Sequence, residues 1–456
     1  MTALSGREVV AHALDAARLA GADAADAVLI EGDSTEVRVR GDAVDFVKQA
    51  RGRTLGIRSL LAGKEGRSSA IASTSDLAAE AVERMARESV AVARATAPDP
   101  AAGLPEGGFA EDWEKLDLGL AHPEDRGVHV ESRIQDAMDA ESAARRMDDR
   151  IDNSEGSQAS SGHSRITYGN SLGFLGGYES DSHSLFSEPV AHDDAGMQRD
   201  YWMTLGHSLA ELENPAEVGR RAAERCLRRL GARPIPTCEV PVIFDPVTAP
   251  SLLRQLAGCV SGYAVYRKSS FLSESLGEPI ASPLLTAVDD ARRPGGLGSR
   301  PFDGEGQVTR RNVILEEGQL QSWLLDTYSA RKLGLASTGN AIRSAGSPPS
   351  VGPSNLWFEP GKASLEEIIA ETPRGLLVTE LIGMGFNPVT GDYSRGAAGL
   401  WIEGGEIQHP VEEITIAANF GDMLRDVDAV GSDLLWLGRV ASPSLRVSRM
   451  TVAGAG

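Results

Sequence analysis

Residues 240–266 read VPVIFDPVTAPSLLRQLAGCVSGYAVY. Val240 to Phe244 is a short apolar run, the pattern of a buried strand. Asp245-Pro246 breaks it, and Pro250 suits the first turn of a helix. Leu252, Leu253, Leu256 and Val260 then recur at helical spacing. The stretch is therefore strand, turn, amphipathic helix. The helix buries that apolar face, and Cys259 lies near a glycine at its C-terminal end.

Outward from this stretch, the chain divides. Upstream, Gly231 follows a helix and Pro234 and Pro236 prevent its continuation, which places a domain boundary within 231–237. That helix opens at Asn214-Pro215-Ala216-Glu217, read as a capping box that Glu217 completes, with Pro at the first position. Ala222, Ala223, Cys226, Leu227 and Leu230 form its stripe. Arg220, Arg221, Arg225, Arg228 and Arg229 are read as a solvated face. Ser5-Gly6-Arg7-Glu8 is a capping box that opens a first helix over roughly 6–20. Strands are expected at 25–31, 34–40, 54–61 and 66–72, with helices over 74–93 and around 123–140. Residues 151–207 are rich in Ser, Gly and short β-like runs and read as antiparallel strands. Helices and strands in separate runs indicate an α+β unit of two layers.

Downstream of 266 the chain is mostly β. Strands 311–315 and 319–325 are expected to pair around Glu317-Gly318. Strands at 375–382 and 399–403 follow. Gly404-Gly405 turns the chain into 406–408, and strands at 413–417 and 445–453 end it. Ser364 with Glu367 caps a short helix at 364–370. The predicted fold is α+β: residues 1–233 form an N-terminal two-layer α/β domain, and residues 234–456 a mostly antiparallel β domain that carries the 250–259 helix.

Composition excludes several classes. The 456 residues carry 45 basic and 65 acidic side chains, a formal net charge of −20. Such a surface repels phosphate backbones and anionic membranes, so neither nucleic acid nor membrane is an expected partner. No apolar run reaches the roughly 18 residues of a transmembrane helix, and MTALSGREVV does not resemble a signal peptide. A cytoplasmic location is expected. Cys226, Cys238 and Cys259 lack the spacing of a disulfide framework or zinc knuckle and read as small core residues. The eight histidines form no HExxH, so no metal is expected in this chain. There is no GxSxG elbow.

One loop stands out. Gly383-Met384-Gly385-Phe386-Asn387-Pro388-Val389-Thr390-Gly391 follows a strand without the helix that a phosphate-binding loop needs. It reads as a wide inter-strand loop whose glycines permit close backbone approach. Gly383, Gly385, Asn387, Tyr393, Ser394 and Arg395 are the candidate residues of a substrate cleft.

Several segments resemble the TldD/PmbA family, in its PmbA (TldE) branch. They include Met197-Gln198-Arg199-Asp200-Tyr201-Trp202, Ser329 to Leu335 with Ser337 to Asn340, Gly383 to Glu403, and Pro410 to Ala417. The stretch from Tyr266 to Leu272 before Pro301-Phe302-Asp303 is similar too. The resemblance covers most of the chain. It implies a heterodimer of a TldD-like zinc peptidase subunit, carrying HExxxH and a later cysteine, with a PmbA-like subunit that closes the chamber around an extended peptide substrate. Carried over, the first ligand falls on Arg254, the general base on Gln255 and the second ligand on Cys259. Residues 440–444 hold no cysteine. These degenerate positions imply no catalytic residue here and zinc only in the partner subunit. The expected function is a non-catalytic subunit of a TldD/TldE-type metallopeptidase acting on unfolded or modified peptides. Alternatives are a stand-alone peptide-binding or chaperone-like module, a subunit of a maturation hydrolase acting on a natural-product amide, and an independent hydrolase using Cys259 or a carboxylate pair. A homodimer is possible when the chain is alone.

Overall fold

The computed structural model describes residues 5–194 and 196–454. The N-terminal half comprises α1 (Gly6–Leu19), β1 (Ala24–Arg40), β2 (Ala43–Gly63), β3 (Gly66–Thr74), α2 (Ala79–Ala95), α3 (Val130–Arg145), β4 (Asn153–Asn170), β5 (Leu175–Asp193), β6 (Gly196–Arg199), β7 (Trp202–Gly206) and α4 (Pro215–Leu227). Its strands form one antiparallel sheet in the order β3-β2-β1-β4-β5-β6, with β7 also paired to β5.

The long strands place two helix pairs on one face. Leu29, Leu55 and Ile57 pack with Val9, Val10 and Ala13 of α1 and Val82 and Met85 of α2. Farther along the same strands, Val37, Val39, Ala159 and Leu185 pack against Ala137 and Ala140 of α3 and Val218 and Ala222 of α4. The opposite face meets the second half. There Val28, Tyr168 and Phe174 pack with Phe302 and Ala345.

The second half comprises β8 (Cys238–Phe244), α5 (Pro250–Cys259), α6 (Gly262–Tyr266), β9 (Ala287–Asp290), β10 (Arg311–Glu316), β11 (Gln319–Leu320), α7 (Thr327–Leu333), β12 (Ala341–Ile342), β13 (Ser350–Val351), β14 (Leu356–Phe358), α8 (Leu365–Ala370), β15 (Arg374–Ile382), β16 (Asp392–Glu403), β17 (Glu406–Asn419), α9 (Phe420–Arg425), β18 (Val427–Val430), β19 (Val440–Ala441) and β20 (Leu445–Ala453). Strands β17-β16-β15-β8-β20 are neighbours in turn, and β17 also pairs β20, which closes a five-stranded ring. Alternation along the strands sorts the side chains. Val242, Phe244, Leu376 and Val378 enter the main core. Ile243 and Leu377 face the other way and pack under Ile368 and Ile369 of α8. A second sheet runs β11-β10-β9-β14-β19. The half is mostly antiparallel, with parallel pairs at β8/β15 and β14/β19.

Some expected boundaries move. The strands expected at 25–31 and 34–40 are one strand, because Gly32 is extended; a Cβ there would meet the His163 carbonyl oxygen of β4 at 2.9 Å. Residues 43–53 extend β2. Residues 406–408 and 413–417 belong to one strand, β17. Helix α2 begins at Ala79 rather than 74, since Thr74 still pairs with Leu55. Both hairpin turns adopt the required positive φ, at Glu317 and Gly318 and at Gly404 and Gly405.

Buried acids line the second half. Asp289 is fully buried and accepts from Asn340 and the Ser354 amide at 2.6 Å each; burial pushes its carboxyl up to about 6. Burial also raises Asp303 and Glu305. A carboxyl with a raised folded pKa keeps a proton that the unfolded chain releases, so these three groups stabilise the fold less as pH rises through 4 to 7. His183, whose imidazole is lowered by burial, acts in the opposite sense, but Asp136, Glu188 and Asp245 are also raised by burial and act with the three. We expect thermal melts to show Tm lower by about 2–5 °C at pH 7.5 than at pH 5. A Tm that rises over this interval would show that these carboxyls titrate normally.

Candidate functional site

The β8–α5 turn is fixed by Asp245. Its Oδ1 accepts from the amides of Val247 (3.2 Å) and Thr248 (2.9 Å) and from the Thr248 hydroxyl (2.9 Å). This leads into Pro250 and the first turn of α5. Leu252, Leu253, Leu256 and Cys259 are buried, so Arg254, Gln255 and Gly258 lie on the outer face. That face borders a cavity of about 590 Å³ between the two halves of the molecule. Asp200 and Tyr201 line it from the first half, Arg254 and Gln255 from α5, and Met384 and Arg395 from the far side.

A buried charge network holds the cavity's back wall. Arg225 of α4 donates through Nε to Asp200 (3.2 Å), through Nη1 to Asp245 (3.4 Å) and through Nη2 to the Thr379 carbonyl (3.4 Å). Asp200, Arg225 and Asp245 are all buried. Arg228 lies 3.9 Å from both carboxylates, and Arg229 pairs with Glu380 of β15 at 2.5 Å. Burial raises the Asp245 carboxyl, and the two arginines oppose it. The solvated arginine face read from sequence is thus corrected for three of its five members. Arg225, Arg228 and Arg229 join the two halves, while Arg220 and Arg221 pair locally with Glu217. Spacing carried a signal for this: Arg225 and Arg229 continue the stripe of buried Val218 and Ala222 at intervals of three and four.

Family models for the PmbA/TldA metallopeptidase match three successive regions: domain 1 over 25–93, the central domain over 123–230 and the C-terminal domain over 237–454. Metalloprotease PmbA of Escherichia coli O157:H7 is 39% identical over 448 residues, covering 98% of this chain and 96% of that one. The chain belongs to the PmbA/TldD metallopeptidase family. A Bacteroides thetaiotaomicron protein proposed as a modulator of DNA gyrase has a crystal structure similar over 100% of both chains, with a TM-score of 0.89 and 28% identity. TldE from Thermococcus kodakarensis shares the fold at a TM-score of 0.86 and 24% identity, over 98% of this chain and 100% of that one.

For a PmbA/TldD protein, the metal question centres on α5. Arg254 stays protonated and has no lone pair to give a cation. Gln255 cannot take a proton from water as a general base must. Cys259 faces the core, fully buried, with its thiol pushed up to about 11 by burial, which opposes the thiolate that a ligand or nucleophile needs. Among the described residues, no three His, Cys, Asp or Glu side chains are grouped to hold a metal ion. The donor set on this helix does not fit zinc.

The loop residues named from sequence take different places in this PmbA/TldD fold. Arg395 reaches the cavity, beside the exposed Met384. Gly385 packs against the following strand: a Cβ there would lie 1.6 Å from the Ser394 carbonyl oxygen, and the Ser394 amide donates to Gly385 at 2.8 Å. Gly383 takes φ +77°. Asn387 folds the loop, accepting from Val389 at 3.0 Å. Ser394 is exposed. Tyr393 is buried and stacks on Phe420 with centroids 6.4 Å apart, so it supports the loop from the core. Asp200, Tyr201 and Asp245 were not among the candidates. The first two lie in a segment that carried the resemblance, and Asp245 sits at the strand–helix turn.

Proposed function

We propose that this chain is the non-catalytic subunit of a TldD/TldE-type zinc metallopeptidase. One observation supports the reading: α5 turns Arg254 and Gln255 toward the inter-half cavity, and these are the positions onto which the resemblance carries the first ligand and the base. The kinship with a metalloprotease supports the reaction class. Zinc would reside in a TldD-like partner, with the two chains forming a cytoplasmic heterodimer around the substrate. This chain's contribution is to bind and enclose an extended, unfolded or modified peptide. Strand-like binding through main-chain hydrogen bonds is tolerant of side chains, so access to the chamber would do much of the selection.

The test compares hydrolysis of an unfolded protein, with zinc present, by this chain, by a TldD-like partner and by their mixture. Cleavage should appear with the mixture and vanish when the partner's HExxxH is mutated, and this chain alone should be inactive. Hydrolysis by this chain alone would overturn the proposal.

A further inference from the structure

We propose that a second cavity, on the other side of Arg254, is a carboxylate pocket that selects acidic peptides. The proposal rests on the peptide-binding part of the reading above and adds a substrate class to it. The cavity has a volume of about 670 Å³. Arg254, Arg267 and Arg439 rim it, and no Asp or Glu is among its lining residues. In a chain with 65 acidic residues and a net charge of −20, a cavity with three arginines and no acid is a local reversal of sign. None of the three has an ion-pair partner among the described residues, whereas Arg225, Arg228 and Arg229 behind the inter-half cavity all face carboxylates. Three uncompensated cations around one concavity repel each other, and an anion relieves that repulsion.

The cavity's remaining character narrows the anion. Ala257, Leu324, Val351 and Val440 give it an apolar floor. Arg267 is positioned by its own element: its guanidinium lies over the Tyr263 and Tyr266 rings at 5.5 and 5.4 Å, and its Nε donates to the Tyr266 hydroxyl at 2.9 Å. The Tyr263 hydroxyl is engaged behind the wall with Asp326 at 3.2 Å. Apolar floor with cationic rim suits a carboxylate on an aliphatic stem. Val440 opens β19, the last strand in the order of its sheet, so the pocket sits where that sheet meets α5. Arg254 borders both cavities, so a peptide held along α5 would place an acidic residue in this pocket while its neighbours occupy the other. A guanidinium fork recognises a carboxylate with two parallel hydrogen bonds. The position that offers no metal ligand would thus offer an anion anchor.

The experiment uses this chain alone and needs no cleavage. Labelled decapeptides with three Glu, with Gln at the same three places, and with the terminal carboxylate free or amidated are titrated by fluorescence anisotropy. The Glu peptide should bind at least ~10-fold tighter than its Gln counterpart. That preference should disappear in Arg254→Ala/Arg439→Ala and in Arg267→Ala, and return in part with Arg267→Lys. The terminal-carboxylate pair separates a C-terminal anchor from a side-chain anchor within the same proposal. These side chains are exposed, so unchanged thermal melts accompany a true binding defect. Equal binding of Glu and Gln peptides, or a preference that survives the double variant, overturns the pocket while leaving the subunit reading to its own test in the mixture. Displacement by inorganic phosphate at lower concentration than by the Glu peptide overturns it in favour of a phosphate site.

Discussion

Asp26→Ala should destabilise the protein by about 3–5 kcal/mol, the cost of leaving buried charge without its partner. Asp26 is fully buried at the start of β1. Its Oδ2 accepts from Arg58 of β2, including at 2.9 Å from Nε, and its Oδ1 accepts from Arg343 of the second half at 2.7 Å. Both guanidinium groups are almost wholly out of solvent. Burial alone would loosen the Arg58 proton, but Asp26 and Glu305 beside it outweigh burial and hold it more tightly than usual. For Arg343, burial wins and its proton is loosened. Without Asp26, two cations remain buried with Glu305, which lies 3.8 Å from Arg58 and is itself disfavoured as an anion. Equilibrium denaturation should show a lower midpoint for the variant, and Asp26→Asn, which keeps an acceptor, should lie between. Because the triad spans the seam between the halves, unfolding of the variant should also separate into two transitions. A loss under about 1 kcal/mol would mean that the triad orients the halves without stabilising their contact.

None of this seam was legible in the sequence, while much of the local structure was. Helix starts were readable because a cap is a short-range event. Ser5 with Glu8 and Ser364 with Glu367 both form capping boxes; Asn214 accepts from the Ala216 amide, but Glu217 pairs with Arg220 and Arg221 instead of completing the expected box. The β8–α5 unit was readable because its apolar pattern changes period at Asp245. Three kinds of feature were not. Glycines inside long strands, such as Gly32, resemble turns until the neighbouring strand is in place. Polar strand extensions such as residues 43–53 lack the alternation that burial imposes, since most of them stay exposed. Partners far apart in the chain, such as Asp26 with Arg343, leave no periodic trace. The candidate site divides along the same line. The buried face of α5, Leu252, Leu253, Leu256 and Val260, followed from helical spacing. Which loop residues face the cavity did not, because strand register decides it: Tyr393 turns into the core while Ser394 is exposed.

Arg225→Ala tests the wall behind the cavity and should cost about 3–5 kcal/mol for the same physical reason. Asp200 and Asp245 would be left buried, with only Arg228 at 3.9 Å from each. The consequence extends to the site, because Asp245 fixes the turn that aims α5 and Asp200 precedes Tyr201 in the cavity wall. The variant should therefore lose support for cleavage in the presence of a TldD-like partner, even below its melting temperature. A pH signature separates lost charge from lost packing. With Arg225 gone, the Asp245 carboxyl, already raised by burial, loses its nearest opposing cation and rises further. Its folded pKa then stands well above that of the unfolded chain, so protonation at low pH removes the uncompensated charge and the deficit shrinks as pH falls from 7.5 to 5. Arg225→Ala combined with Asp245→Asn should recover part of the stability at pH 7.5 and lose the pH dependence of the deficit. A deficit that is equal at pH 5 and 7.5 would assign Arg225 to packing against Trp202, whose ring lies 5.9 Å from its guanidinium, and not to charge pairing.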